Sequence, residues 1–219
     1  DLVHEIRNPL TSLKSASEIM SETEDKNKRE KLVEILSHDV ERIERLITDY
    51  SQMLKDEVAL SKEKMNKINL YSIAHSVVDD FNNIYVEKRN IKIDLKIDNS
   101  VKNFTILGIE NRIEQILANL LDNAISFSED NKKVLVEIKK NKDGKTTLKV
   151  IDQGKGFKEK KLNKIFDRFY SNRPDKFGKH SGLGLNIVKN LVDLHGGMIT
   201  AANNTHQSGA MVEIVFPKV

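Results

Sequence analysis

Three residues that could do chemistry open the chain. In VHEIRNPL, residues 3–10, His4 stands beside Glu5, and Asn8 follows one helical turn later. An imidazole is largely unprotonated near neutral pH, which suits it to nucleophilic attack. A neighbouring carboxylate can orient the ring or relay its proton, and a residue at i+4 shares its helix face. Pro9 comes next, and proline inside a helix removes a hydrogen bond and kinks it at a cost of roughly 3 kcal/mol. Either the kink lets the helix bend as something docks, or it is a fixed bend that accommodates packing.

Four stretches in the second half carry a different chemistry. In NRIEQILANLLDNAISF, Asn119 and Asn123 share one face of an otherwise apolar helix. Two buried amides on one face suit a hard cation or a phosphate, and Mg²⁺ takes oxygen ligands and leaves the rest to substrate phosphates. They would equally serve as caps or core hydrogen bonders. In VIDQGKGF, a strand runs into Asp152, and Gly154 and Gly156 follow. Such glycines let a backbone approach a flat ligand, and a strand-end carboxylate can accept from an exocyclic amine such as that of adenine. An Asp before a glycine turn is also an ordinary turn signal. In HSGLGLNIVKNLVDLHGG, Gly182 and Gly184 precede an apolar helix whose first amides would form an anion cradle; the pattern is not a Walker loop. Residues 164–182, KIFDRFYSNRPDKFGKHSG, turn from aromatic to cationic and read as a lid between the two ligand turns or as an exposed basic loop.

The elements that must position these residues divide near residue 60. Residues 1–22 and 28–57 read as two helices around a polar turn, with Asn27 and Glu30 spaced like a capping box. Ile6, Leu10, Leu13 and Ser17 mark the face of the first helix. Leu32, Leu36, Val40, Ile43, Ile47, Tyr50 and Leu54 form a heptad-like stripe on the second, with Asp39 and its charged neighbours largely off it. A lone hairpin leaves much of that stripe wet. Two hairpins around a two-fold axis bury it as a four-helix bundle, while a coiled-coil spacer is the plainer reading. After the connector SKEKM, residues 61–65, strands and helices intersperse, and the pattern predicts a mixed sheet with helices on one face.

Composition sets outer limits. The 219 residues carry a net charge of +3 with both signs mixed, so no nucleic-acid stripe is visible. Cysteine is absent, which excludes disulfides and thiolate metal sites. No apolar run reaches the ~18 residues of a membrane span. The chain begins inside a helical pattern, which we expect of a piece of a longer protein. No pair of the remaining histidines has metal spacing; His195, at a helix end, would suit the dipole as a cation.

Taken in order, these stretches resemble the bacterial sensor histidine kinases. HEIRNPL looks like their H box, NLLDNA their N box, DQGKGF their G1 box, IFDRFY their F box and SGLGLNIVK their G2 box. HDVERIERLITDYS and RFYSNRPDKFGKHSGLGL are most similar to the ChvG-type envelope-sensing kinases of alphaproteobacteria. The resemblance implies an α+β chain. Residues 1–60 would be a dimerisation and phosphotransfer hairpin, a four-helix bundle in the homodimer, and residues 66–219 an ATP-binding α/β sandwich of the Bergerat type. It implies that His4 takes the γ-phosphoryl group of ATP and passes it to an aspartate of a response regulator receiver domain. Glu5 would assist, and Asn8 would align the water that dephosphorylates that regulator. It places ATP against Asn119, Asn123, Phe127, Asp152, Gly154, Gly156, Arg168, Arg173, Lys179, Gly182, Leu183, Gly184 and Leu185, with Asn123 on Mg²⁺. It implies no nucleic-acid partner, and a cytoplasmic location with any membrane contact made through segments outside this chain.

The chain departs from the family pattern at Ser126, where the usual N-box residue is a lysine, and at Lys155, where G1 commonly has proline. Phosphoryl transfer needs cations near the triphosphate, and Arg173, with Lys179 second, is the expected replacement; Arg168 between two aromatics is expected to be buried. Other ATPases of this fold, such as those of mismatch repair, topoisomerases and chaperones, lack a His-bearing hairpin. A degenerate kinase acting as a scaffold or phosphatase is the second alternative.

Overall fold

The structure, a computed structural model, describes residues 2–60, 63–98, 101, 103–159, 161–168, 170, 182–204 and 208–219. Two helices come first, α1 (Leu2–Glu22) and α2 (Lys26–Leu60). The turn between them is closed by Asp25, whose carboxylate accepts from the Asn27 and Lys28 amides at 2.9 and 3.3 Å. The cap is therefore Asp25, the residue before α2, whose oxygen reaches the second and third helical amides as a cap should, and Asn27 lies inside α2.

The seam between α1 and α2 differs from the sequence pattern. On α1 it uses Ile6, Pro9, Leu13, Ala16 and Met20, while Leu10 and Ser17 are exposed. Pro9 is buried in the seam and α1 continues unbroken past it. On α2 the seam runs through Leu32, Leu36, Asp39, Ile43, Leu46 and Tyr50. Val40, Ile47 and Leu54 face outward instead, and Val33 joins them. These four lie at successive seven-residue steps, a second line that the hairpin itself leaves uncovered. The single stripe read from the sequence had merged the two lines, because a helix with two apolar faces has no unique period-3.6 phase. Asp39, expected outside the stripe, is only 6 % exposed, and one of its oxygens has no partner. Burial pushes its carboxyl up, but hydrogen bonds from Ser12 and His38 and the charges of His38 and Arg42 hold it below its usual value.

The α/β part contains β1 (Asn66–Asn69), α3 (Leu70–Arg89), β2 (Lys92–Ile97), β3 (Thr105–Gly108), α4 (Glu110–Phe127), β4 (Lys133–Lys140), β5 (Thr146–Ile151), a 3₁₀ turn (Leu162–Phe166), α5 (Gly184–Leu194), β6 (Met198–Asn203) and β7 (Ala210–Phe216). Strands β1 and β3 pair with each other, and the main sheet has the order β2-β4-β5-β7-β6. Strands β2 and β4 are parallel and the other neighbours antiparallel, so the sheet is mixed.

Register explains which face is covered. Leu95, Val136, Val150, Val212 and Ala201 stand opposite one another across the five strands, as do Ile138, Leu148, Ile214 and Ile199 across four. Residues two apart share a face, so these rows form one apolar surface. The buried residues of α3, α4 and α5 pack on it in one core. On the opposite face Lys96, Glu137, Lys149 and Glu213 form a row of alternating sign, with Lys149 and Glu213 3.2 Å apart. A solvated face with paired charges and a dry face under helices is what a two-layer sandwich requires.

Candidate functional site

One cavity collects five of the thirteen residues expected to contact ATP: Asn123, Phe127, Asp152, Gly156 and Leu185. Its apolar wall is Leu120, Ala124, Val150, Ala210 and Val212; Asn123, Phe127, Asp152, Gly156, Phe157 and Leu185 complete it. Helix α4 supplies the asparagine face, the end of β5 supplies Asp152, and the first turn of α5 closes the far side.

Asp152 is 7 % exposed. Its Oδ1 accepts from the Gly154 amide at 2.8 Å and from the Ala210 amide at 3.0 Å, and its own amide donates to the Ala210 carbonyl at 3.0 Å. The carboxylate is thus fixed by the β5–β7 pairing, and both side-chain contacts use one oxygen, leaving Oδ2 for a ligand. Burial raises its carboxyl above the ordinary range, and the two amides oppose this in part.

The turn after Asp152 touches the end of α4. A Cβ at Gly154 would sit 2.3 Å from the Phe127 carbonyl oxygen, so only glycine allows that approach. Gly156 has φ +74°, a left-handed backbone suited to glycine. The turn is braced from β6: Asn203 accepts from the Phe157 amide at 2.6 Å and donates to the Phe157 carbonyl at 3.0 Å. Ser208 donates to the Gly154 carbonyl at 2.7 Å.

Asn119 and Asn123 lie where α4 meets the start of α5. Asn119 donates to the Gln115 carbonyl at 2.9 Å, which turns its oxygen toward α5; a Cβ at Gly184 would lie 3.1 Å from that oxygen and 3.8 Å from the Asn123 nitrogen. Gly182 has φ +72°. Leu183 is fully buried, so only its backbone can face a ligand. Asn186 donates to the Phe166 carbonyl at 2.9 Å, tying α5 to the 3₁₀ turn.

Other expectations are corrected here. Arg168 is exposed, not sandwiched by aromatics, because the 3₁₀ turn points Ile165 and Phe166 inward and ends before it. His195 is not a helix-end cation: it is 3 % exposed, its Nδ1 donates to the Leu191 carbonyl at 2.6 Å and its Nε2 accepts from the Ile109 amide at 3.1 Å. Burial lowers its pKa, so the neutral ring links α5 to the start of α4. Ser126 is buried. Arg173 and Lys179 lie outside the described residues. On α1, His4 and Asn8 are both exposed one turn apart, and the Glu5 side chain is outside what is described.

Sequence reasoning missed Phe157 as a wall and Asn203 and Ser208 as its braces. Phe157 ended the glycine motif and could have been found from it. Asn203 had no local signal, since its contact spans 46 residues of sequence.

The chain matches two family models: "Histidine kinase-, DNA gyrase B-, and HSP90-like ATPase" over residues 108–219 and "His Kinase A (phospho-acceptor) domain" over residues 1–62. Along the chain, the phospho-acceptor match covers the two-helix region and the ATPase match covers the region that holds this cavity. The chain belongs to the ATP-dependent histidine kinases. Among curated relatives it is 35% identical over 217 residues to the sensor protein ChvG of Agrobacterium fabrum, covering 96% of this chain and 36% of that protein. It is 34% identical over 215 residues to the ChvG of Rhizobium meliloti, covering 95% and 37%. The chain therefore spans little more than a third of those relatives. Among solved structures, histidine kinase ThkA in complex with response regulator TrrA aligns with TM-score 0.66 and 26% identity over 99% of this chain and 60% of that one.

Proposed function

We propose that residues 1–60 and 66–219 act as phospho-acceptor hairpin and ATP-binding domain of a kinase that phosphorylates its own His4. The observation that carries this reading is Asp152: a buried carboxylate with one oxygen saturated by two backbone amides and the other left for a ligand. An adenine amine is the donor that matches it, and Phe127, Phe157 and Leu185 flank the base. The triphosphate then runs toward Asn119, Asn123 and the amides at the start of α5, where the helix dipole favours anions. The oxygen of Asn119 faces the start of α5, and an asparagine oxygen suits Mg²⁺, which would neutralise phosphate charge there; Asn123 is the proposed ligand. Gly154 and Gly156 shape the turn, and Gly182, Leu183 and Gly184 hold the phosphate side.

In the transfer step an unprotonated nitrogen of His4 attacks the γ-phosphorus, the bond to the bridging oxygen breaks and ADP departs; the ring proton on the other nitrogen passes to Glu5 or to solvent. The exposure of His4 suits a nucleophile that must meet both ATP and, next, the receiver aspartate of a response regulator. Asn8, on the same face, orients water for dephosphorylation of that aspartate. The outward line of Val33, Val40, Ile47 and Leu54 supports a homodimer through the hairpin, since packing two such lines removes apolar surface worth roughly 25 cal/mol per Å². We assign the chain to the cytoplasmic side of a membrane sensor. The test is incubation with γ-labelled ATP and Mg²⁺: protein-bound label that is lost in acid and kept in base is expected, and label stable to acid contradicts the assignment.

A further inference from the structure

The ion pair between Glu63 and Arg112 joins the connector to the helix that carries the nucleotide asparagines. Arg112 is 8 % exposed. Its Nη2 donates to Glu63 Oε1 at 2.9 Å and its Nε to Oε2 at 3.3 Å, a two-pronged geometry that fixes orientation. Its Nη1 donates to Gln115 Oε1 at 3.1 Å, so the guanidinium is also held from its own helix. The side chains of Arg112 and Glu63 are 10% and 26% exposed, which sets the pair apart from the solvated ion pairs that contribute little. Arg112 is three turns before Asn123 on α4, so the two lie on the same face.

Where the pair sits in the chain gives it a role. Helix α2 ends at Leu60 and β1 begins at Asn66, and Glu63 is midway. Pinned there, the α/β domain is attached three residues from the end of α2; released, it is attached six residues away. We infer that Glu63 and Arg112 form a pin that shortens the tether between the phospho-acceptor hairpin and the nucleotide domain, and are positioning residues for phosphorylation of His4. This rests on the function proposed above. Once a tether is long enough to span its two sites, effective concentration falls roughly as the −3/2 power of its length, so doubling it in that range lowers it about threefold.

The expected result for Glu63→Ala is therefore an autophosphorylation kcat lower by about threefold, with the KM for ATP and nucleotide affinity unchanged and a lowered melting temperature, since the buried Arg112 loses its carboxylate. Transfer from already phosphorylated His4 to a receiver domain is also unchanged. The charge exchange Glu63→Arg with Arg112→Glu restores the rate, and a three-residue Gly/Ser insertion between positions 62 and 63 lowers it with the pair intact. An unchanged or raised rate in Glu63→Ala overturns the pin. A fall in nucleotide affinity in parallel with the rate also overturns it, since that is the signature of a pair that only shapes the nucleotide domain. Wild-type protein that forms no phosphohistidine marks failure of the underlying function instead, and is separate from both.

Discussion

Replacing Asp152 by asparagine keeps the shape of the side chain and changes what it offers the cavity. In the native chain Oδ1 accepts from Gly154 and Ala210 at 2.8 and 3.0 Å. In Asp152→Asn the amide oxygen must take that position, because the amino group cannot accept from two backbone donors. The amino group then faces the cavity, where the adenine amine also donates. A charge-assisted bond worth about 1.5–3 kcal/mol is replaced by two opposed donors, which corresponds to a loss of about tenfold to a hundredfold in ATP affinity. Titration calorimetry with ATP, and with a purine triphosphate carrying a 6-oxo group, measures both sides. The 6-oxo nucleotide accepts from the new amino group, so its affinity should rise relative to ATP. The pH dependence adds a second readout. The raised folded pKa means that ATP affinity falls as pH drops through it. The stability contribution of protonated Asp152 in the empty protein is fully present below the ordinary carboxylate pKa and is lost as pH rises through the folded value. The two trends are opposite, and both should vanish in Asp152→Asn. ATP affinity within twofold of native, with an unchanged ratio to the 6-oxo nucleotide, would refute adenine recognition by Asp152.

Asn123→Ala should abolish the Mg²⁺ dependence of ATP binding more than the binding itself, checked by calorimetry with and without Mg²⁺. Asn8→Ala should spare autophosphorylation yet slow regulator dephosphorylation by tenfold or more, on the order expected when water is no longer oriented; equal loss of both activities would make Asn8 structural. His195 contributes stability above the ordinary imidazole pKa of 6.5 that is lost as pH falls through its lowered folded value. His195→Gln should therefore flatten the acid side of a urea-midpoint profile, while losing about 1–3 kcal/mol at neutral pH from its two buried hydrogen bonds.

How much could be read in advance depended on whether the cause was local. The helical character of NRIEQILANLLDNAISF was legible from its apolar periodicity, because that follows from neighbours a few residues away. The position of Asp152 at a strand end was legible for the same reason; its fixed orientation was not, since one of its donors, Ala210, is 58 residues distant. The seam of the hairpin was misassigned because α2 has apolar residues on two faces and sequence gives no way to say which one meets α1. Asp39 shows why: Ser12, His38 and Arg42 favour the carboxylate of a charged residue at a seam position, and periodicity does not see these partners. His195 was read as a helix-end cation because its acceptor role toward Ile109 is made by the fold and not by the helix.

The central claim is that His4 receives the phosphoryl group from a nucleotide held at Asp152. Its most direct measurement is the stoichiometry of acid-labile phosphate in native protein and in His4→Gln, with ATP affinity measured on both. The account predicts label on the native protein, none on His4→Gln, and the same ATP affinity in each. Acid-labile phosphate at native levels on His4→Gln would contradict it.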